Sequence, residues 1–83
     1  GIMGYAVVSF TITETGTVEN PEALEGMCGD PTDPATVFRP CSIFNSAAAR
    51  SAVKLKYKPK IVDGKAVRVD NVPHKFTFIL EGD

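Results

Sequence analysis

The chain has no tryptophan, one histidine and two cysteines, and no apolar run near the ~18 residues that a membrane-spanning helix needs. Its nine Lys and Arg are set against ten Asp and Glu, leaving a net charge of -1. Without a basic excess there is no field strong enough to hold a phosphate backbone, and nucleic acid is set aside as the natural partner. The first residues, Gly1-Ile2-Met3-Gly4, lack the charged start and apolar middle of a signal peptide. The chain reads as a soluble piece of something longer. Its 83 residues make one domain, of a size that buries roughly 60% of its unfolded surface and leaves little room for a long active-site cleft.

The residues that carry chemistry are equally sparse. Catalysis by His74 needs an oriented partner and a positioned nucleophile, and no Ser-His-Asp or Cys-His arrangement at a known spacing is visible. The chain is therefore read as a non-enzyme without a cofactor. Two cysteines and a distant histidine are too few for a structural zinc site. Cys28 and Cys41 read better as a disulfide than as two free thiols, which implies an oxidising compartment. Asp30 and Asp33 are broken up by Pro31 and Pro34 and have no closing Glu, so they read as loop solvation, not a calcium loop. No glycine pattern makes a phosphate loop; Gly4, Gly16 and Gly64 are assigned to turns.

What is present is strand periodicity. From Tyr5 to Thr13, Ala6, Val8, Phe10 and Ile12 alternate with Tyr5, Val7, Ser9 and Thr11, and both faces are partly apolar, which predicts a strand in the middle of a sheet. Glu14-Thr15-Gly16 suits a short hairpin turn. Val18 then opens a second strand, outer and bulged or broken at Pro21. Residues 27–42 form a loop whose prolines forbid a regular element, closed by Cys28 and Cys41. Ser42 or Asn45 caps a helix with the apolar stripe Phe44, Ala48, Ala52 and Leu55, stopping before Pro59. Asp63-Gly64 marks a turn.

The last run, Val72 to Leu80, organises the rest. Val72, His74, Phe76, Phe78 and Leu80 point one way, and Pro73, Lys75, Thr77 and Ile79 the other. With no strand after it, its backbone groups form an edge that an extended peptide can join. The expected fold is α+β: a three-stranded antiparallel sheet in the order 2-1-3 with one face covered by a helix. Charge is uneven, with six of the nine basic residues between Arg50 and Lys65. Lys54, Lys56, Lys58 and Lys60 suit an anionic lipopolysaccharide or an acidic partner, or more simply a solvated helix face.

Read together, these stretches resemble the C-terminal periplasmic domain of the TonB family of energy transducers. Gly4-Tyr5-Ala6-Val7-Val8-Ser9-Phe10-Thr11-Ile12-Thr13 with Gly16-Thr17-Val18 is similar to the family's first hairpin. Phe44-Asn45 through Ala52 is similar to its long helix, Tyr57-Lys58-Pro59 to its Y-x-P ending, and Asp63-Gly64-Lys65 with Phe76-Thr77-Phe78 to its final turn and strand. The family's N-terminal helix is missing, Leu55 stands where many members carry Trp, and residues 27–42 resemble an insertion. The resemblance implies a protein anchored in the inner membrane, coupled to ExbB and ExbD through parts outside this chain. It also implies a domain that binds the "TonB box" of outer-membrane transporters for siderophores, haem or cobalamin by strand addition. The docking edge is then Val72, His74, Lys75, Phe76, Thr77, Phe78, Ile79 and Leu80. A strand-exchanged homodimer and a TolA-like protein-binding domain are the alternatives.

Overall fold

A computed structural model describes residues 1–79 of the chain. In chain order the elements are β1 (Gly4–Ile12), β2 (Val18–Cys28), β3 (Arg39–Pro40), helix α1 (Asn45–Ala52), β4 (Lys60–Val62), β5 (Lys65–Val67) and β6 (Val69–Phe78). The class is α+β. The main sheet is antiparallel in the order β3-β2-β1-β6, and β4 and β5 pair separately as a hairpin.

β1 is central because both of its faces bury something. Ala6, Val8 and Phe10 are fully buried on the face toward α1, while Tyr5, Val7 and Ser9 are half-buried on the other. Its turn into β2 is tied by Thr13, whose Oγ1 accepts from the N–H groups of Thr15 (3.3 Å) and Thr17 (3.2 Å). Gly16 there has φ +85°, the left-handed region that glycine enters at least cost. These bonds satisfy a threonine that is itself buried.

The sheet has four strands where three were expected. The 27–42 segment, read as devoid of regular structure, contributes β3, with Arg39 opposite Cys28 and Pro40 opposite Met27. The Cys28–Cys41 disulfide is formed, with Cα atoms 5.7 Å apart, and Cys41 N–H donates to the Gly26 carbonyl at 3.0 Å. Together they hold the chain against the end of β2. Proline is tolerated there because an outermost strand leaves its nitrogen side free.

α1 is shorter than the apolar stripe suggested. Ala48 and Ala52 are buried, and their small side chains let the helix lie close on β2 and β1. Neither Ser42 nor Asn45 caps it with a side chain: Phe44 is the N-cap and makes no such bond, and Asn45 N–H goes instead to the Ser42 carbonyl at 3.1 Å. Lys54 and Leu55 N–H groups bond to Ser51 and Ala52 carbonyls, three residues back, so the helix tightens and ends. Lys54 to Lys60 therefore lie beyond the helix and not on its wet face. Leu55 and Tyr57 still reach the core, Tyr57 anchored by its N–H to the Gly16 carbonyl at 2.9 Å. Gly4, assigned to a turn, instead opens β1, where a Cβ would sit 2.8 Å from the Phe44 ring.

Candidate functional site

β6 is held along most of its length by β1, from Gly4↔Phe78 through Ser9↔Pro73 to Phe10↔Val72, then Ile12↔Val69. The register slips between the last two pairs, where Asp70 and Asn71 face Thr11 alone. Asn71 has φ +57°, a conformation that asparagine tolerates better than most residues. Thr11 Oγ1 donates to Asp70 at 2.8 Å, and Arg68 spans Asp70 (3.6 Å) and Glu19 of β2 (3.3 Å). This polar clip fixes the start of β6.

Pro73 reveals which backbone groups of β6 are spoken for. In an antiparallel ladder, facing residues either exchange both bonds or exchange none. Pro73 has no N–H and faces Ser9, so it belongs to the non-exchanging set, and Lys75 and Thr77 are in phase with it. His74, Phe76 and Phe78 are thereby the positions bonded to β1. Lys75 and Thr77 turn their N–H and C=O groups to the opposite side, and Pro73 turns its carbonyl there. Among the described residues no strand pairs with that side.

The two faces beside this rim differ. On the inner face Phe78 stacks on Phe44 at 4.5 Å, and Val72 and Phe76 are half-buried. His74 shares this face yet is exposed, its ring 4.6 Å from Phe76 and 6.5 Å from Phe10. Its ring makes no hydrogen bond among the described residues. α1 leans toward β2 and β1, so Phe76 and His74 form a half-open aromatic shelf along β6. On the outer face Lys75 Nζ lies 4.2 Å above the Tyr5 ring, and Tyr5 hydroxyl donates to Glu25 at 3.3 Å. Desolvation, with the nearby Glu25 carboxylate, pushes the Tyr5 phenol above its ordinary range, so it stays neutral. Phe38, from the disulfide-closed segment, packs edge-on against the same ring at 5.2 Å.

The residues assigned to the edge from sequence are thus brought together, with two exceptions. Ile79 lies past the end of β6, and Leu80 lies outside the described residues. Tyr5 and the Asn71 bulge were missed. Pro73 was the available signal for the phase of the rim, since its missing N–H fixes which neighbours point outward. Among the described residues no group of three or more His, Cys, Asp or Glu is arranged to hold a metal ion, and no helix is long and apolar enough to cross a membrane. A polar cavity of about 320 Å³ lies where the bulges of β2 and β6 flank β1, lined by Ser9, Thr11, Asn20, Glu22, Asp70 and Asn71. No protein-family model matches the chain, and no curated protein or solved structure matches it either.

Proposed function

We propose that this chain is the periplasmic C-terminal domain of a TonB-type energy transducer. It binds the TonB box of outer-membrane transporters as an added strand on β6 and transmits force from ExbB and ExbD through other parts of a longer protein. The proposal takes siderophores, haem or cobalamin as the transported class. The observation that carries it is the side of β6 with which no strand pairs among the described residues, where Lys75 and Thr77 present donors and acceptors in strand phase. A backbone ladder accepts varied side chains and shares load along its length. Each bond contributes on the order of 1 kcal/mol net, so the unloaded complex is weak.

Titration with a synthetic TonB-box peptide tests this reading. Amide signals along His74 to Phe78 shift first, and Thr77→Pro removes the shifts. An unchanged β6 in the presence of peptide refutes strand addition. The same rim favours one other reading, pairing of β6 with β6 of a second copy about a two-fold axis. Concentration-dependent sedimentation separates the two, since a strict monomer leaves the rim to a foreign strand.

A further inference from the structure

Between α1 and β4, exposure alternates residue by residue. Lys54, Lys56, Lys58 and Lys60 are exposed, whereas Leu55, Tyr57 and Pro59 are half-buried. Lys54 still belongs to the last helical turn; beyond it, an extended chain with this period puts the Lys56, Lys58 and Lys60 ammonium groups on one side, about 6.6 Å apart along the backbone. The row is fixed in place by the Tyr57 bond to Gly16 and by the Tyr57 ring 5.9 Å from Phe10. It runs directly into the hairpin, where pairing of Lys60 with Val67 and Val62 with Lys65 puts those four side chains on one face. From Lys54 to Lys65 there are five lysines and a single carboxylate, Asp63. Among the described residues both ion pairs are made by Arg68, so the row is not neutralised by them. β4 and β5 pack chiefly on each other, and Ile61 and Val62 are 60% and 44% exposed.

We infer that the lysine row and the hairpin form a second docking surface, for an anionic lipid bilayer. The charge selects an anionic partner. Its uniform make-up selects the kind: arginine forks suit a fixed carboxylate, while lysine is a point charge that tolerates any arrangement of phosphates. Val62, an exposed aliphatic side chain on the same hairpin face as Lys60 and Lys65, matches a partner that has an apolar layer beneath its charged one. Nucleic acid is a poor fit because the one aromatic of the segment, Tyr57, packs inward and leaves no stacking platform. This surface is independent of the β6 rim.

Sedimentation with lipid vesicles decides the matter. The chain binds vesicles of phosphatidylcholine mixed with phosphatidylglycerol, does not bind phosphatidylcholine alone, and is released by salt. A lysine near an anionic surface is worth roughly fivefold in partitioning, so Lys56→Gln/Lys58→Gln/Lys60→Gln lowers binding about a hundredfold. Val62→Ser weakens it severalfold with no change in charge, and Lys75→Gln, at the Tyr5 ring, leaves it unchanged. All four positions that matter are exposed, and an unaltered amide spectrum shows that each variant folds. Equal binding to neutral vesicles, or none to anionic ones, overturns the inference. So does retention by polyglutamate without vesicle binding, which assigns the row to an acidic polypeptide. Salt-sensitive self-association in place of vesicle binding assigns it to the Glu-bearing β2 of a second copy.

Discussion

The outer side of β2 is interrupted twice and closed at its end, whereas the outer side of β6 runs unbroken from Val72 to Phe78. On β2 the register slips around Leu24 and again around Asn20 and Pro21, Glu19, Glu22 and Glu25 are exposed, and β3 covers Met27 and Cys28. Bulges, charges and a short covering strand are the usual means of keeping a sheet edge from pairing with other chains. β6 has its bulge and its Asp70 charge at the very start, and from Val72 to Phe78 only Pro73 and the Lys75 charge by comparison. The contrast shows that protection has been spent on one side of the sheet and left off the other, which makes β6 the side where pairing with a second polypeptide is possible.

The strongest way to break this contrast is to unfasten β3. Cys28→Ser with Cys41→Ser removes a crosslink that closes a loop of 13-residue separation, and such a crosslink contributes about 3 kcal/mol through the unfolded chain. Urea denaturation reads the loss. Amide exchange then quickens at position 28, which pairs with Arg39, but not at Met27, whose proline partner leaves its N–H directed to β1, nor along Lys75 to Phe78. A loss under about 1 kcal/mol means instead that contacts such as Phe38 on Tyr5 hold the segment without the sulfurs.

Neighbouring prolines on β6 give the next largest effect and test the phase of the rim. Phe76→Pro removes a bond to β1 and the packing of a half-buried ring, which costs about 2 kcal/mol or more. Thr77→Pro removes only an outward N–H, so stability changes by less than about 1 kcal/mol while affinity for an added strand falls about tenfold. Thermal unfolding and peptide titration on both variants check the pair. If Thr77→Pro is the more destabilising, Lys75 and Thr77 face β1 and the open groups belong to the other set.

Much of this edge was legible because strand alternation is a local signal. Ala6, Val8 and Phe10 announce a buried face, and Val72, Phe76 and Phe78 a matching one. The hairpin turn at Asp63-Gly64 was legible for a similar reason: φ values of +50° and +79° are those that Asp-Gly supplies. What could not be read depends on contacts distant in sequence. The early end of α1 follows from Tyr57 being drawn to Gly16, and no propensity at Val53 or Lys54 encodes that. β3 exists because a crosslink and one backbone bond bring a proline-bearing segment beside β2. That β4 and β5 stand apart was hidden as well, since Lys60, Val62, Lys65 and Val67 mix charge and aliphatic groups on one face and show no core side. His74 keeps the inward phase assigned to it, yet it is exposed because α1 leans away.

A finer comparison lies in the two asparagines that bend β2 and β6 on either side of β1. Asn20 and Asn71 have φ +53° and +57°, so Ala at either position costs about 1 kcal/mol, and Gly holds or slightly raises stability. The two need not act alike on binding. Asn71→Ala disturbs the strand that carries the open rim, whereas Asn20→Ala disturbs only the protected one. Denaturation midpoints should fall in both, and peptide affinity in Asn71→Ala alone. A matching loss of affinity in Asn20→Ala means that the two sides are coupled through β1.

The smallest effect concerns the segment that seals β2. Thr32 donates its N–H (2.9 Å) and its hydroxyl (2.6 Å) to Asp30 Oδ1, and these bonds hold the Asp30 carboxyl below its ordinary range. Because the folded state favours the charged form, its contribution is complete above the unfolded carboxylate range, about pH 4. It is lost as pH falls through the lower folded value. The site is open to solvent, so the change is small. Unfolding midpoints followed downward from pH 5 therefore drop slightly more for the native chain than for Asp30→Asn, which keeps an acceptor and has no charge to lose. A carboxyl signal of Asp30 that titrates at the ordinary value removes the basis for the difference. Peptide binding at β6 stays flat through the same range, since the segment touches only the other side of the sheet and the Tyr5 ring.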